Sequence, residues 1–137
     1  MKKIRVLMSK IGLDGHEVGA KVVSAMLREA GMEVVYLGKF QTPEMILVAA
    51  IEEGVDVIGI SCQTPNHVRW IPKLMGLLKE EGLNDMVVLV GGIIPDPYPA
   101  ELKAVGVDLV FGPGTMSADI VSAINTLVAE KVEAVNS

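Results

Sequence analysis

Lys10, Asp14 and His16 fall within seven residues of one another, in the segment Ser9-Lys10-Ile11-Gly12-Leu13-Asp14-Gly15-His16-Glu17-Val18-Gly19-Ala20-Lys21. In an extended loop, positions 14 and 16 project to the same side. The Asp14 carboxylate can then accept the proton of one imidazole nitrogen of His16, which fixes the tautomer and leaves the other nitrogen free to ligate a metal. Lys10 can steady the carboxylate in turn. The structural alternative is an exposed loop histidine beside an aspartate that caps a helix. Gly12, Gly15 and Gly19 weigh against it, because glycine is costly in entropy and such a cluster serves positive φ or close backbone approach. A protein-only zinc site needs three or four ligands, and the only other candidates of that kind are His67 and the lone Cys62. A single histidine suffices where the metal arrives inside a macrocycle that supplies the equatorial nitrogens, as in a corrinoid or a haem.

The elements that must position these groups follow from the apolar pattern. Half of the 137 residues are hydrophobic but only 4% are aromatic, so the core is aliphatic and suits a parallel sheet buried on both faces. Apolar runs predict strands near 4–8, 33–37, 55–60, 86–90 and 107–111. Between them lie helical segments. Val22, Val23, Met26, Leu27 and Ala30 recur at helical spacing ahead of Gly31. Thr42-Pro43-Glu44 reads as a cap, a first-turn proline and a favourably placed acid, opening a helix that ends before Gly54. Leu74, Leu77 and Leu78 share a face closed by Gly82, a short helix follows Pro99, and a last one covers roughly 117–131. Five strands with helical crossovers predict a single α/β domain over 1–137, a five-stranded doubly wound parallel sheet of order 2-1-3-4-5, flavodoxin-like (Rossmann-like). Ligands of such sheets bind beyond the carboxyl ends of the strands. That places the functional argument in loops 9–19, 38–43, 61–67, 91–98 and 112–116.

A net charge of −5 argues against a surface for nucleic acid or anionic lipid. The start of the chain lacks the apolar stretch and cleavage site of a signal peptide, and no run has the length of a membrane span. One cysteine allows no internal disulfide. The expected location is the cytoplasm, away from membranes.

The segment Lys10-x-Gly12-x-Asp14-Gly15-His16-x-x-Gly19-Ala20-Lys21 resembles the D-x-H-x-x-G signature of cobalamin-binding domains, in the form found in the acyl-CoA mutase branch of which methylmalonyl-CoA mutase is the best-known member. The resemblance extends through Phe40-Gln41-Thr42-Pro43, Gly59-Ile60-Ser61, Gly91-Gly92-Ile93-Ile94-Pro95 and Val110-Phe111-Gly112-Pro113-Gly114-Thr115. It implies that His16 is the lower axial cobalt ligand through Nε2, displacing the dimethylbenzimidazole base, with Asp14 accepting the Nδ1 proton and Lys10 completing the chain. It implies that Ser61 hydrogen-bonds the benzimidazole nitrogen of the displaced tail, that Gly91 and Gly92 leave room for that tail, and that Phe111, Gly112 and Thr115 belong to the loop closing over it. One position departs from the pattern. The serine usually begins Ser-x-Leu, whereas Ser61-Cys62-Gln63 places at Gln63 an amide that needs a partner when buried. His67 receives no role, and Cys62 reads as a small buried hydrophobe.

The resemblance further implies the small subunit of a split adenosylcobalamin-dependent acyl-CoA mutase. No residue of this chain would be catalytic by itself, and a large barrel subunit would hold the acyl-CoA substrate. The alternative is a corrinoid methyl carrier. Such carriers generally have a helical module ahead of the signature, whereas here the first strand is expected at residue 4. A phosphorylated receiver wants an aspartate where Ser61 stands, and a dinucleotide site wants G-x-G-x-x-G after the first strand. A flavin site would leave Lys10, Asp14 and His16 unexplained. Methylmalonyl-, isobutyryl- and 2-hydroxyisobutyryl-CoA all remain open as substrates.

Overall fold

The computed structural model describes residues 3–10, 18–38, 41–62, 69–83, 85–92, 94, 96–112 and 117–136. Its elements alternate as β1 (Arg5–Lys10), α1 (Val18–Glu29), β2 (Glu33–Gly38), α2 (Pro43–Glu53), β3 (Val57–Cys62), α3 (Ile71–Glu80), β4 (Val87–Gly92), α4 (Tyr98–Ala104), β5 (Leu109–Phe111) and α5 (Ser117–Asn136). The strands form one sheet of order β2-β1-β3-β4-β5, parallel at every pairing. This is the expected doubly wound order.

Local chemistry explains where the elements stop and start. Thr42 caps α2, its Oγ1 accepting a hydrogen bond from Met45 N at 3.1 Å. Pro43 occupies the first turn, where its missing N–H costs nothing. Gly54 ends the helix in the left-handed region at φ 60°, with its N–H turned back to Ala50 and Ile51 carbonyls. On the surface, Lys73 Nζ of α3 lies 2.8 Å from Glu44 Oε1 of α2. The hydrogen bond from Lys73 holds the Glu44 carboxyl below its ordinary value.

The core divides between the two faces of the sheet. Leu7, Ile58, Ile60, Val88 and Val90 pack against α2, α3 and α4 through Ile46, Ala50, Ile71, Leu74 and Leu102. Val6, Met8, Val57, Val87 and Leu89 pack against α1 and α5 through Leu27, Ile120 and Ile124. At the amino ends of the strands, two aspartates stitch neighbours together. Asp56 accepts from Arg5 N at 3.0 Å and Asp108 from Val88 N at 2.9 Å, while their own N–H groups donate back to Arg5 and Val88 carbonyls at 2.9 Å. Arg5 also reaches Glu33 and Glu53, each at 3.2 Å.

Three strands run two residues further toward their carboxyl ends than the apolar pattern predicts. β1 continues to Lys10, β3 to Cys62 and β4 to Gly92. Hydrogen bonding between neighbours carries the ladder past the last large apolar side chain. Lys10, Ser61, Gly91 and Gly92 are therefore strand residues, not loop residues. At the other end of the chain, α5 continues to Asn136, beyond the expected stop near 131.

Candidate functional site

The strand extensions bring four of the sequence-selected residues into one line. Lys10 pairs with Ser61 across β1 and β3, Ser61 with Gly91 across β3 and β4, and Gly91 with Phe111 across β4 and β5. Because side chains alternate along a strand, Lys10, Ser61 and Gly91 lie on the same face as Met8, Leu89 and Phe111, the face covered by α1 and α5. The line crosses four strands at the carboxyl edge of the sheet, where a doubly wound fold binds its ligands.

Lys10 is not on the exposed rim that the loop reading suggests. It is fully buried, as is nearly all of Ser61, and Lys10 Nζ donates to Ser61 Oγ at 3.4 Å. Burying an ammonium without partners is expensive, so this lysine in an otherwise aliphatic sheet marks a polar station beneath α1 and α5. Ser9, on the opposite face, turns inward and donates to the Lys10 carbonyl at 2.7 Å.

The glycines have separate reasons. A Cβ on Gly91 would run into the ring of Phe111, so the absent side chain is what lets that ring lie over β4. Gly92 points to the other face with φ 120°, and a Cβ there would strike the backbone carbonyl of Cys62; its requirement is close strand approach at a strained angle. Gly112 follows β5 with open space around it. Gly19 is the second residue of α1. Asp14, Gly15, His16, Gln63 and Thr115, with His67, lie outside the described residues. The Asp14–His16 segment is the connection between the end of β1 and the start of α1.

Two further residues belong to this surface and were not singled out from the sequence as site residues. Gly59 lies one row below Ser61 on the same face, opposite Met8, and a Cβ at 59 would meet the Met8 sulfur. Gly59 and Gly91 thus form a shallow cradle in the sheet, covered by a flexible thioether and an aromatic ring. The signal was available: a glycine inside an otherwise Val/Ile strand, two residues before the serine, marks close approach by another group. Outside this cradle, an open cleft of about 570 Å³ lies between α1 and α5, lined in part by Met26, Ala30, Val121 and Asn125. Among the described residues, no group of three or more His, Cys, Asp or Glu side chains could hold a metal ion by itself, and no helix is long and apolar enough to cross a membrane.

Comparison with known proteins gives the family and the fold. The chain is 46% identical over 126 residues to the pivalyl-CoA mutase small subunit of Xanthobacter autotrophicus, covering 92% of this chain and 84% of that protein. It is 43% identical over 128 residues to the 2-hydroxyisobutanoyl-CoA mutase small subunit of Aquincola tertiaricarbonis, covering 93% and 94%. Among solved structures, a cobalamin-binding protein from Desulfitobacterium hafniense superposes with a TM-score of 0.79 at 26% identity, over 93% of this chain and 60% of that one. Residues 4–122, which hold the whole sheet and the segment from Lys10 to Gly19, match the B12 binding domain. The chain belongs to the B12-binding domain family.

Proposed function

We propose that this chain is the cobalamin-binding small subunit of an adenosylcobalamin-dependent acyl-CoA mutase, in which residues 1–137 act as one domain beside a separate large subunit whose barrel holds the acyl-CoA. The observation that carries the reading is the row Lys10–Ser61–Gly91–Phe111 at the carboxyl edge of the sheet. The residues fit the group. A buried ammonium and hydroxyl supply polar partners in an aliphatic face. Gly59 and Gly91 form a cradle that any Cβ would fill, and Met8 and Phe111 are the side chains a nucleotide tail would displace. The family's mutase small subunits favour this over the methyl-carrier reading.

In this proposal Asp14 would accept the Nδ1 proton of His16, leaving Nε2 available to hold the corrinoid cobalt. Lys10 joins that hydrogen-bonded chain from its buried place at the end of β1. Gly15, between β1 and α1, and Gly19, in the first turn of α1, would let the backbone approach the corrin. Ser61 and Gly91 would receive the displaced tail, while Phe111, Gly112 and Thr115 would close over it and Gln63 would line its entrance; Gly92, expected with Gly91 to leave room for the tail, faces the other side of the sheet against the Cys62 backbone. When bound, adenosylcobalamin supplies a cobalt–carbon bond weak enough to open homolytically, the chemistry that begins carbon-skeleton isomerisation of a short branched acyl-CoA. This chain secures the lower side only. Exclusion of water and oxygen above requires a cover from the large subunit, for which the loops around 12–18, 64–68 and 93–98 are the natural contact.

The test is magnetic. With cob(II)alamin bound, paramagnetic resonance shows nitrogen hyperfine coupling that changes when only the histidines carry a different nitrogen isotope, and His16→Ala loses that coupling. Coupling indifferent to histidine labelling means that the benzimidazole stays on cobalt, and overturns the assignment. The same preparation has no isomerase activity by itself and gains it with its large subunit; isomerisation by this chain alone overturns the split-enzyme reading.

A further inference from the structure

Of the eleven residues of α2, only Glu44, Glu52 and Glu53 are polar. One face of the helix, through Ile46, Leu47 and Ala50, fills the core. The opposite face carries Met45, Val48 and Ile51 in steps of three residues, exposed at 48%, 51% and 51%. A surface helix ordinarily turns polar residues outward, as α3 does beside it with Lys73, Lys79 and Glu80. Among the described residues, no other helix exposes three large hydrophobic side chains in a row.

A second anomaly lies on the same surface. α2 and α3 each lead from the carboxyl end of one parallel strand back toward the amino end of the next, so they run the same way. The Glu44–Lys73 bridge sets their level, and one turn below it stand Val48 on α2 and Gly76 on α3. Gly76 is exposed inside its helix, and a Cβ there would meet nothing within 4 Å. Glycine weakens a helix interior relative to alanine, and no described neighbour requires it here. A small residue at such a place lets a second helix approach closely.

The charges beside the stripe narrow the choice of occupant. Glu44 is engaged with Lys73 and Glu53 with Arg5, which leaves Glu52 as the exposed charge on the rim. Two copies of this face would set acid against acid, with no base on α2 to offset it. An apolar surface flanked by lysine or arginine meets no such penalty. α2 also begins at the carboxyl edge of the sheet, the side on which the large subunit is placed above.

We infer that the outer face of α2, with Gly76 of α3 beside it, docks an amphipathic α-helix of the large subunit whose apolar stripe is flanked by basic residues. This rests on the split-mutase reading and adds to it a contact away from the corrinoid.

The experiment measures association of the full chain with its large subunit by surface plasmon resonance, with and without adenosylcobalamin and at two salt concentrations. Tm and cobalamin affinity of each isolated variant are measured alongside. Replacing two stripe residues together, Met45→Gln and Val48→Gln, should weaken association by roughly 10–100-fold, with Tm and cobalamin affinity unchanged. Glu52→Lys should weaken it less and flatten its salt dependence. Gly76→Ala should move two readouts in opposite directions: Tm rises because α3 gains helix propensity, while association weakens. A merely structural glycine would not lower the affinity, and this variant keeps the test open if the double variant fails to fold. Unchanged association in the double variant and in Gly76→Ala overturns the inference while leaving the split-mutase reading intact. Self-association of the chain that the double variant abolishes, with large-subunit affinity untouched, assigns the face to a second copy and overturns it too. Absence of any complex between the wild type and the large subunit removes the reading on which it rests.

Discussion

The two faces of the sheet are built from alternate residues of the same strands, yet they diverge toward the carboxyl edge. Against α2, α3 and α4, β3 presents Ile58, Ile60 and Cys62 and β4 presents Val88 and Val90, all buried. Against α1 and α5, β1 passes from Val6 through Met8 to Lys10, β3 from Val57 through Gly59 to Ser61, and β4 from Val87 through Leu89 to Gly91. The first face keeps large aliphatic side chains through Ile60 and Val90 and ends in the small residues Ser9, Cys62 and Gly92, with no charged group among them. The second exchanges its apolar volume, over two rows, for small and polar groups. Packing aliphatic volume stabilises the fold, whereas thinning it at one edge makes room for a ligand and weakens the contact of sheet with helices. The lesson is a division of labour within single strands: one set of alternate positions holds the domain together, and the other set, at one end, is released for binding.

The largest effect expected on that division comes from the filled face. Ile60→Ala removes a buried side chain at a site enclosed on all sides, and should cost about 2–5 kcal/mol of unfolding free energy, read from urea denaturation. The fraction that remains folded should bind cobalamin with little change in affinity. An affinity that falls in step with stability would show that the two faces do not act separately.

The opposite signature is expected one residue along. Ser61→Leu places a branched side chain over the cradle and should cost roughly 1–3 kcal/mol through overpacking. Its main effect should be on binding, with complete cobalamin impaired far more than cobinamide, measured by spectral titration. Equal impairment of both would mean general disruption of this face in place of a filled slot.

The smallest effect lies on the outside of the filled face, where Lys73 bridges α3 to Glu44 of α2. Lys73 keeps the folded-state Glu44 carboxyl below its unfolded value, so its contribution is present at neutral pH and fades as the pH falls through the folded-state value. Exposed pairs of this kind contribute little. Lys73→Ala should lower Tm slightly at pH 7 and not at all at a pH where Glu44 is protonated in both states. A Tm difference that persists in acid would point to the lysine stem, not the charge, as the source.

Much of the molecule was legible in its residues. The five strands, their helical crossovers and the cap at Thr42-Pro43-Glu44 follow from period and from backbone chemistry, which act over a few residues and are written locally. The candidate site was legible in its residue types: a buried-type serine, paired glycines and a lysine near an Asp-x-His. What the residues did not disclose was where the strands stop. Lys10, Ser61 and Gly91 look like loop residues because none is a strand former, but each is held in the ladder by its neighbours. Gly59 was overlooked for a related reason: its partner Met8 is remote in sequence and adjacent only in the sheet.

The sequence by itself therefore determined the elements, their order and the chemical groups available, since hydrophobic period, capping and glycine geometry are properties of short segments. Only the tertiary structure decided that Lys10 stands opposite Ser61, Ser61 opposite Gly91 and Gly91 opposite Phe111. Register between strands some fifty residues apart, as for β1 and β3, is set by long-range hydrogen bonding and by the packing of two helices over one face. A shift of a single residue would turn each of these side chains to the other side.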